Sequence, residues 1–149
     1  MAIRHVLTVY DGTPASDTLL DMVCKIVHPH RARLTILHVN VVPRSQRLPT
    51  YQPGSDPETE ALLREAEGLA ERWKVKAACA VRYARAWGPA VVAESRVSGV
   101  DLVALLAPQV GISSPAERLG ADIDYVLHRL TCAVMICRPS LEGPELEQE

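Results

Sequence analysis

Asp101-Leu102-Val103-Ala104-Leu105-Leu106 leads into Ala107-Pro108-Gln109-Val110-Gly111-Ile112-Ser113-Ser114, and the chain closes on Cys132-Ala133-Val134-Met135-Ile136-Cys137-Arg138-Pro139. The first run is short, apolar and preceded by the turn residue Gly99, which marks a strand. The second is a loop. Ser114-Pro115-Ala116-Glu117 has the form of a capping box with proline at the first helical position, so a helix is expected from there. Leu119, Ile123, Val126, Leu127 and Leu130 then recur at helical spacing. The last run, Cys132 to Cys137, is a second apolar strand. Strands buried on both faces belong to a parallel sheet covered by helices on each side. The loop between Leu106 and Ser114 then lies where a strand's carboxyl end meets a helix's amino end. Open α/β sheets bind ligands there, and helix amino ends favour anions.

The same alternation extends back to the start of the chain. Residues 3–9 read as a strand broken by Asp11-Gly12. Thr13 caps a helix with Pro14 at its first position, and Leu19, Leu20, Met22, Val23, Ile26 and Val27 form its apolar face until Pro29 stops it. Residues 32–42 make a second strand. The segment 43–55, rich in proline and serine, reads as an exposed, mobile loop with little to offer a core. Asp56-Pro57 starts a helix with Leu62, Ala66, Leu69 and Trp73 on one side, and Glu60 with Arg64 forms an outer pair worth about 0.2–0.5 kcal/mol. Residues 75–83 read as a third strand. Gly88-Pro89 opens a helix to Ser98 that turns Val92, Ala93 and Val97 inward and ends at Gly99. Four βα units and a fifth strand demand right-handed crossovers and one parallel sheet. The expected fold is an α/β single domain over residues 1–139, an open, doubly wound, Rossmann-like five-stranded parallel sheet. An acidic tail, 140–149, is expected to be disordered.

Composition narrows the function classes. A chain of 149 residues, 48% hydrophobic and 23% charged, is large enough for a sizeable core and reads as globular. A net charge of −2 without a Lys/Arg-rich run argues against a nucleic-acid partner. No apolar run approaches a membrane span, and the chain enters a strand at once without signal-peptide architecture, so the expected location is the cytoplasm. With no phenylalanine, the core is expected to be aliphatic. Cys24, Cys79, Cys132 and Cys137 show no C-x-x-C spacing and read as small buried hydrophobes. Cys24, His28 and His30 cluster near the end of the first helix, but no fourth ligand is near in sequence, and no metal site is expected. No G-x-S-x-G, Walker A or H-E-x-x-H motif is present, and no catalytic residue is assigned.

Asp101-Leu102-Val103-Ala104, Leu119-Gly120, Tyr125-Val126-Leu127 and the run from Cys132 to Pro139 resemble the C-terminal half of the universal stress protein (UspA) family. His5 to Thr13, with Asp11 at the strand end, resembles the family's first strand. Leu34 to Val39 is similar to its second strand, and Gly88-Pro89 to the glycine that opens its third helix. The resemblance implies the adenine-nucleotide-binding α/β fold and assigns candidate ligand contacts. Asp11 would stand at the adenine and ribose end of a bound nucleotide; equally, it reads as a turn aspartate bonding backbone N–H groups ahead of the first helix. Val39 would pack beside adenine, or be plain core.

The phosphate loop departs from the family pattern, Gly-x-x-Gly, nine residues, then Gly-Ser or Gly-Thr. Gly120 keeps the last glycine. Val110 stands where the second belongs, Ala107 at the first and Ala121 at the hydroxyl position, while Gly111 is displaced by one. Glycine is needed there so that backbone amides can approach phosphate without a Cβ between them, and Pro108 withdraws another amide. Ser113, Ser114 and the helix amino end could still hold an anion weakly.

The expectation is a non-enzymatic, dimeric regulatory protein with a degenerate nucleotide crevice, no tightly bound cofactor and at most weak ATP or AMP binding, acting through protein partners the sequence does not name. An ATP- or AMP-binding switch using a non-standard loop around Val110 and Gly111 is the alternative, and an enzyme acting on a nucleotide a third. The apolar strand from Cys132 to Cys137, placed at a sheet edge by the family's strand order, invites pairing with a second copy about a two-fold axis. A monomer with that edge covered by the acidic tail is the competing arrangement.

Overall fold

A computed structural model describes residues 2–107 and 120–139. The elements run β1 (His5–Val9), α1 (Pro14–His30), β2 (Arg33–Val41), α2 (Pro57–Arg72), β3 (Ala77–Ala84), α3 (Trp87–Ser98), β4 (Leu102–Leu106), α4 (Gly120–Arg129) and β5 (Ala133–Cys137). The strands form one sheet in the order β3-β2-β1-β4-β5, every pair parallel. The chain winds outward from β1 to β3, then returns to β4 beside β1 and winds the other way. The order therefore reverses between β1 and β4.

Helix starts follow their capping residues. Thr13 Oγ1 accepts from Ser16 N at 3.2 Å and Asp56 Oδ1 from Thr59 N at 3.3 Å, each with proline next in line. Helix α1 continues through Pro29, where the sequence predicts a stop, and ends on Arg31 in the left-handed conformation. Proline in the last turn forfeits one helical N–H bond, and Arg31 and Ala32 close the end by donating to the carbonyls of His28 and Val27 at 3.2 Å. Gly99, at φ 66°, ends α3 as expected.

Two apolar layers fill the faces of the sheet. One joins Leu19, Leu20 and Val23 of α1 to Ala66 and Ala70 of α2; the other joins Val91 and Val92 of α3 to Val126 of α4. Each of the fully buried leucine and valine side chains contributes about 1.5–3 kcal/mol. The core is not wholly aliphatic, because Tyr10 is buried within it at the end of β1. Several apolar assignments shift, among them Leu127 of α4, which is exposed. Met22 and Val97 face solvent, Val97 at 77% exposure, because one helical turn cannot bring them to the side occupied by Val23 and Cys24, or by Val92 and Ser95. In α2 the buried line is Thr59, Leu63, Ala66 and Ala70, one position away from the expected Leu62 and Leu69, which are only partly covered.

The 43–55 segment has no strand or helix, as expected, yet it is not without an anchor. The Tyr51 hydroxyl donates to Glu60, whose Oε1 also accepts from Gly54 N at 3.0 Å, and the Tyr51 ring lies 6.3 Å from that of Tyr83. Glu60 is thus engaged with the loop, in addition to whatever weak attraction it feels from Arg64. The start of the expected fourth helix and the acidic tail lie outside the described residues. No described helix is long and apolar enough to cross a membrane.

Candidate functional site

A cavity of about 590 Å³ opens at the carboxyl ends of the strands, where the sheet order reverses between β1 and β4. Val9, Leu37, Val39 and Val41 floor it, Trp87 closes one side, and Asp11 and Thr13 stand at the turn into α1.

That turn is tightly bonded. Tyr10 N still donates to Leu37 O at 2.9 Å, continuing the sheet past β1. Asp11 Oδ1 then accepts from Thr13 N at 3.0 Å and from Thr13 Oγ1 at 2.6 Å, while Asp11 N donates to Ser16 Oγ at 2.9 Å. Gly12 takes φ +79°, a backbone that side chains resist, and a Cβ there would stand 2.5 Å from Leu62 Cδ2 of α2. The two readings of Asp11 thus coexist in geometry: its carboxylate organises the turn, and the residue lines the cavity. The same holds for Val39, which lines the cavity and packs against the apolar layer under α3.

Beneath the cavity, on the other face of β2, lies a polar chain that the sequence reading did not find. His38 is buried; its Nδ1 donates to Tyr10 O at 2.9 Å and its Nε2 lies 3.1 Å from Asn40 Oδ1. Asn40 Nδ2 donates to Thr59 Oγ1 at 3.3 Å, and the Thr59 hydroxyl donates to Asp56 Oδ2 at 2.8 Å. Those Thr59 bonds hold the Asp56 carboxyl below its usual range. From Asn40 onward these bonds tie β2 to the cap of α2 and, through the Tyr83 hydroxyl 3.4 Å from Asp56, to β3. The available signal was His38 and Asn40 alternating along an otherwise apolar strand, both pointing to one face. Tyr10 itself donates its hydroxyl to Asp17 Oδ1 at 2.5 Å; burial first, and that bond second, push the phenol up. Trp87 was also missed as a cavity residue. Its place just before Gly88-Pro89, at a strand-to-helix connection on the same edge of the sheet, was the clue.

Gly120 begins α4 at φ +80°, consistent with a glycine requirement there, but it is not among the residues lining the cavity. Val110, Gly111, Ser113 and Ser114 lie outside the described residues. Asp11 and Val39 are therefore the two predicted ligand contacts that the cavity brings together. Cys24 is buried against the sheet while His28 and His30 are exposed, so the three do not converge; among the described residues no group of three or more His, Cys, Asp or Glu is placed to hold a metal. All four cysteines are unpaired, and burial raises the thiols of Cys24 to about 11 and Cys79 to about 12.

The model of the universal stress protein family matches residues 2–138, and the chain belongs to that family. Among solved structures, a universal stress protein in complex with cAMP is 26% identical, with a TM-score of 0.69, over 94% of this chain and all (100%) of that one. A family protein from Arabidopsis thaliana with AMP bound is 14% identical, with a TM-score of 0.64, over 93% of this chain and 94% of that one. The universal stress protein from Archaeoglobus fulgidus in complex with dAMP is 9% identical, with a TM-score of 0.66, over 91% and 98% of the respective chains. The last two likenesses establish the fold alone. No curated protein matches the chain.

Proposed function

We propose that this member of the universal stress protein family is a non-catalytic, dimeric regulator of the cytoplasm whose crevice takes an adenine nucleotide weakly and does not retain ATP. The observation that carries the reading is the character of the cavity lining. Val39, Val41 and Trp87 offer a surface for a planar base, and Asp11 could accept from a ribose hydroxyl. Asp11 is also the one charged residue among the described lining residues, so no described cation there faces a triphosphate. The sequence adds Val110 and Ala121 in place of the glycine and hydroxyl that would cradle phosphate. The relatives named above hold cAMP, AMP and dAMP, all monophosphates, which favours an AMP-class ligand as the second reading.

A regulatory rather than catalytic role is supported by the state of the nearby hydroxyls. Thr13 Oγ1 is engaged by Asp11 and Ser16, Ser16 Oγ accepts from Asp11 N, and Tyr10 is held protonated. The unpaired cysteines suit a reducing compartment. Dimer formation is supported by β5. It is the outer strand beyond β4, it is half-buried, and it offers Ala133, Val134, Met135 and Ile136, whereas the opposite edge, β3, carries the charged Arg82.

Thermal shift with AMP, cAMP and ATP tests the ligand reading. Saturation at about 100 times Kd stabilises by about 2.7 kcal/mol. Millimolar monophosphate should raise Tm and ATP should raise it little; a clear shift at micromolar ATP rejects the proposal.

A further inference from the structure

The first two helices hand over to their strands through the same short pattern. After α1 the chain reads Arg31-Ala32-Arg33, and after α2 it reads Lys74-Val75-Lys76. Arg31 at φ 51° and Lys74 at φ 57° are the non-glycine residues with left-handed backbone among those described. That conformation usually falls to glycine or asparagine. In both turns the next residue returns its N–H to the helix, Ala32 to Val27 O at 3.2 Å and Val75 to Ala70 O at 3.0 Å. The second cation of each triplet then enters the sheet. The β2–β3 register opens with Leu34 beside Ala77, and Arg33 and Lys76 each come one residue before that pair.

Arg31, Arg33, Lys74 and Lys76, with His28, rim a cavity of about 510 Å³ at the amino ends of β2 and β3, the end of the sheet opposite the crevice. Its floor includes the buried Val75, and among the described residues no carboxylate lines it. The ion pairs among the described residues, Arg82 with Glu94 and His128 with Asp124, involve none of these four cations. A helix carboxyl end welcomes a positive charge, which accounts for Arg31 and Lys74. It does not account for Arg33 and Lys76, which lie beyond the helices and bring two further like charges to the same rim, where they repel one another.

We propose that this cavity is a second ligand site, for a compact multivalent phosphate of the pyrophosphate class. Two guanidinium groups match phosphate oxygens in pairs and two ammonium groups add point charges. An anion bridging the two turns would turn the repulsion between Arg33 and Lys76 into shared attraction. The cations surround a cavity rather than forming a stripe, in a chain of net charge −2, which favours a compact anion over a nucleic-acid strand.

The test is calorimetric titration of inorganic pyrophosphate into the full chain at low salt, with melting followed in parallel. Wild type should bind, and Arg33→Gln/Lys76→Gln should weaken binding by about tenfold or more, since two of four charge-assisted contacts are lost. Without anion the same double variant should melt above wild type, because the like-charge pair is gone; pyrophosphate should raise the Tm of wild type more than that of the variant. Lys76→Gln alone should move both readouts in the same directions by less, and decides the matter if the double variant does not fold. No binding to wild type at about 1 mM pyrophosphate, the weak end of specific affinity, would overturn the assignment. So would equal affinity in the variant, or tighter binding of a single-stranded oligonucleotide than of pyrophosphate.

Discussion

Asp122 on α4 accepts a hydrogen bond from the backbone N–H of Gly88 at 3.0 Å, so one helix caps the first turn of its neighbour. Helix α3 follows Ala86, which supplies no side-chain cap, and its early N–H groups need an outside partner. A carboxylate there also suits the positive end of the α3 dipole. The approach is close: a Cβ on residue 88 would meet Asp122 Oδ1 at 2.8 Å and the Asp122 carbonyl oxygen at 2.9 Å. Gly88→Ala must therefore push α3 from α4, and we expect a loss of about 1–3 kcal/mol in urea unfolding, the usual range for overpacking. A variant as stable as wild type would show that the helices are not in this contact.

His38 holds the Tyr10 carbonyl from below the crevice. A carbonyl only accepts, so Nδ1 carries the proton, which nitrogen-detected NMR of the imidazole should show. His38→Leu strands Tyr10 O in a buried setting, and an unsatisfied group costs about 1–3 kcal/mol. Unchanged stability would remove the polar chain from the account.

His5 makes stability depend on pH. It is buried on β1 with Nε2 2.7 Å from Thr35 Oγ1, and among the described residues Nδ1 has no close hydrogen-bond partner. Burial foremost, and the nearby Arg33 charge, lower its pKa from the ordinary 6.5. The unfolded chain then binds a proton more readily than the folded one, so stability falls as pH drops from about 6.5 toward the lowered folded value and levels off below it. Denaturation between pH 7.5 and 5 (about the range of histidine titration) should show that slope, and His5→Gln should flatten it. An identical slope in the variant would assign it to other groups.

Limited proteolysis should cut first at the exposed Arg44 and Arg47. Tyr51, fastened to Glu60, should resist chymotrypsin longer than those arginines resist trypsin. First cleavage within α1 or α2 would contradict the packing described.

What could be read from the chain alone follows from how local each cause is. Thr13-Pro14, Asp56-Pro57 and Gly99 carry their capping signals within a few residues, and the strands are marked by short apolar runs; the sheet and its helices followed. Gly88 could be seen to open a helix, but the reason for glycine is Asp122, more than thirty residues away. Val97 and Met22 are apolar residues on solvated faces, which periodicity alone miscounts when a small or polar residue such as Ser95 takes the inner position. At the crevice, Asp11 was legible through its place at the end of the first strand, and Val39 through the family resemblance. Trp87 and His38 were not, because their roles depend on which strands become neighbours.

The central claim joins an unretained nucleotide to a β5-paired dimer, and native mass spectrometry of protein purified without added ligand tests both at once. We expect the mass of two chains with no bound ATP, at protein concentrations of about tens of micromolar. Val134→Lys, which places a charge on the β5 edge, should shift the population to single chains. A wild-type spectrum of single chains, or of chains each carrying a stoichiometric ATP, would contradict the account.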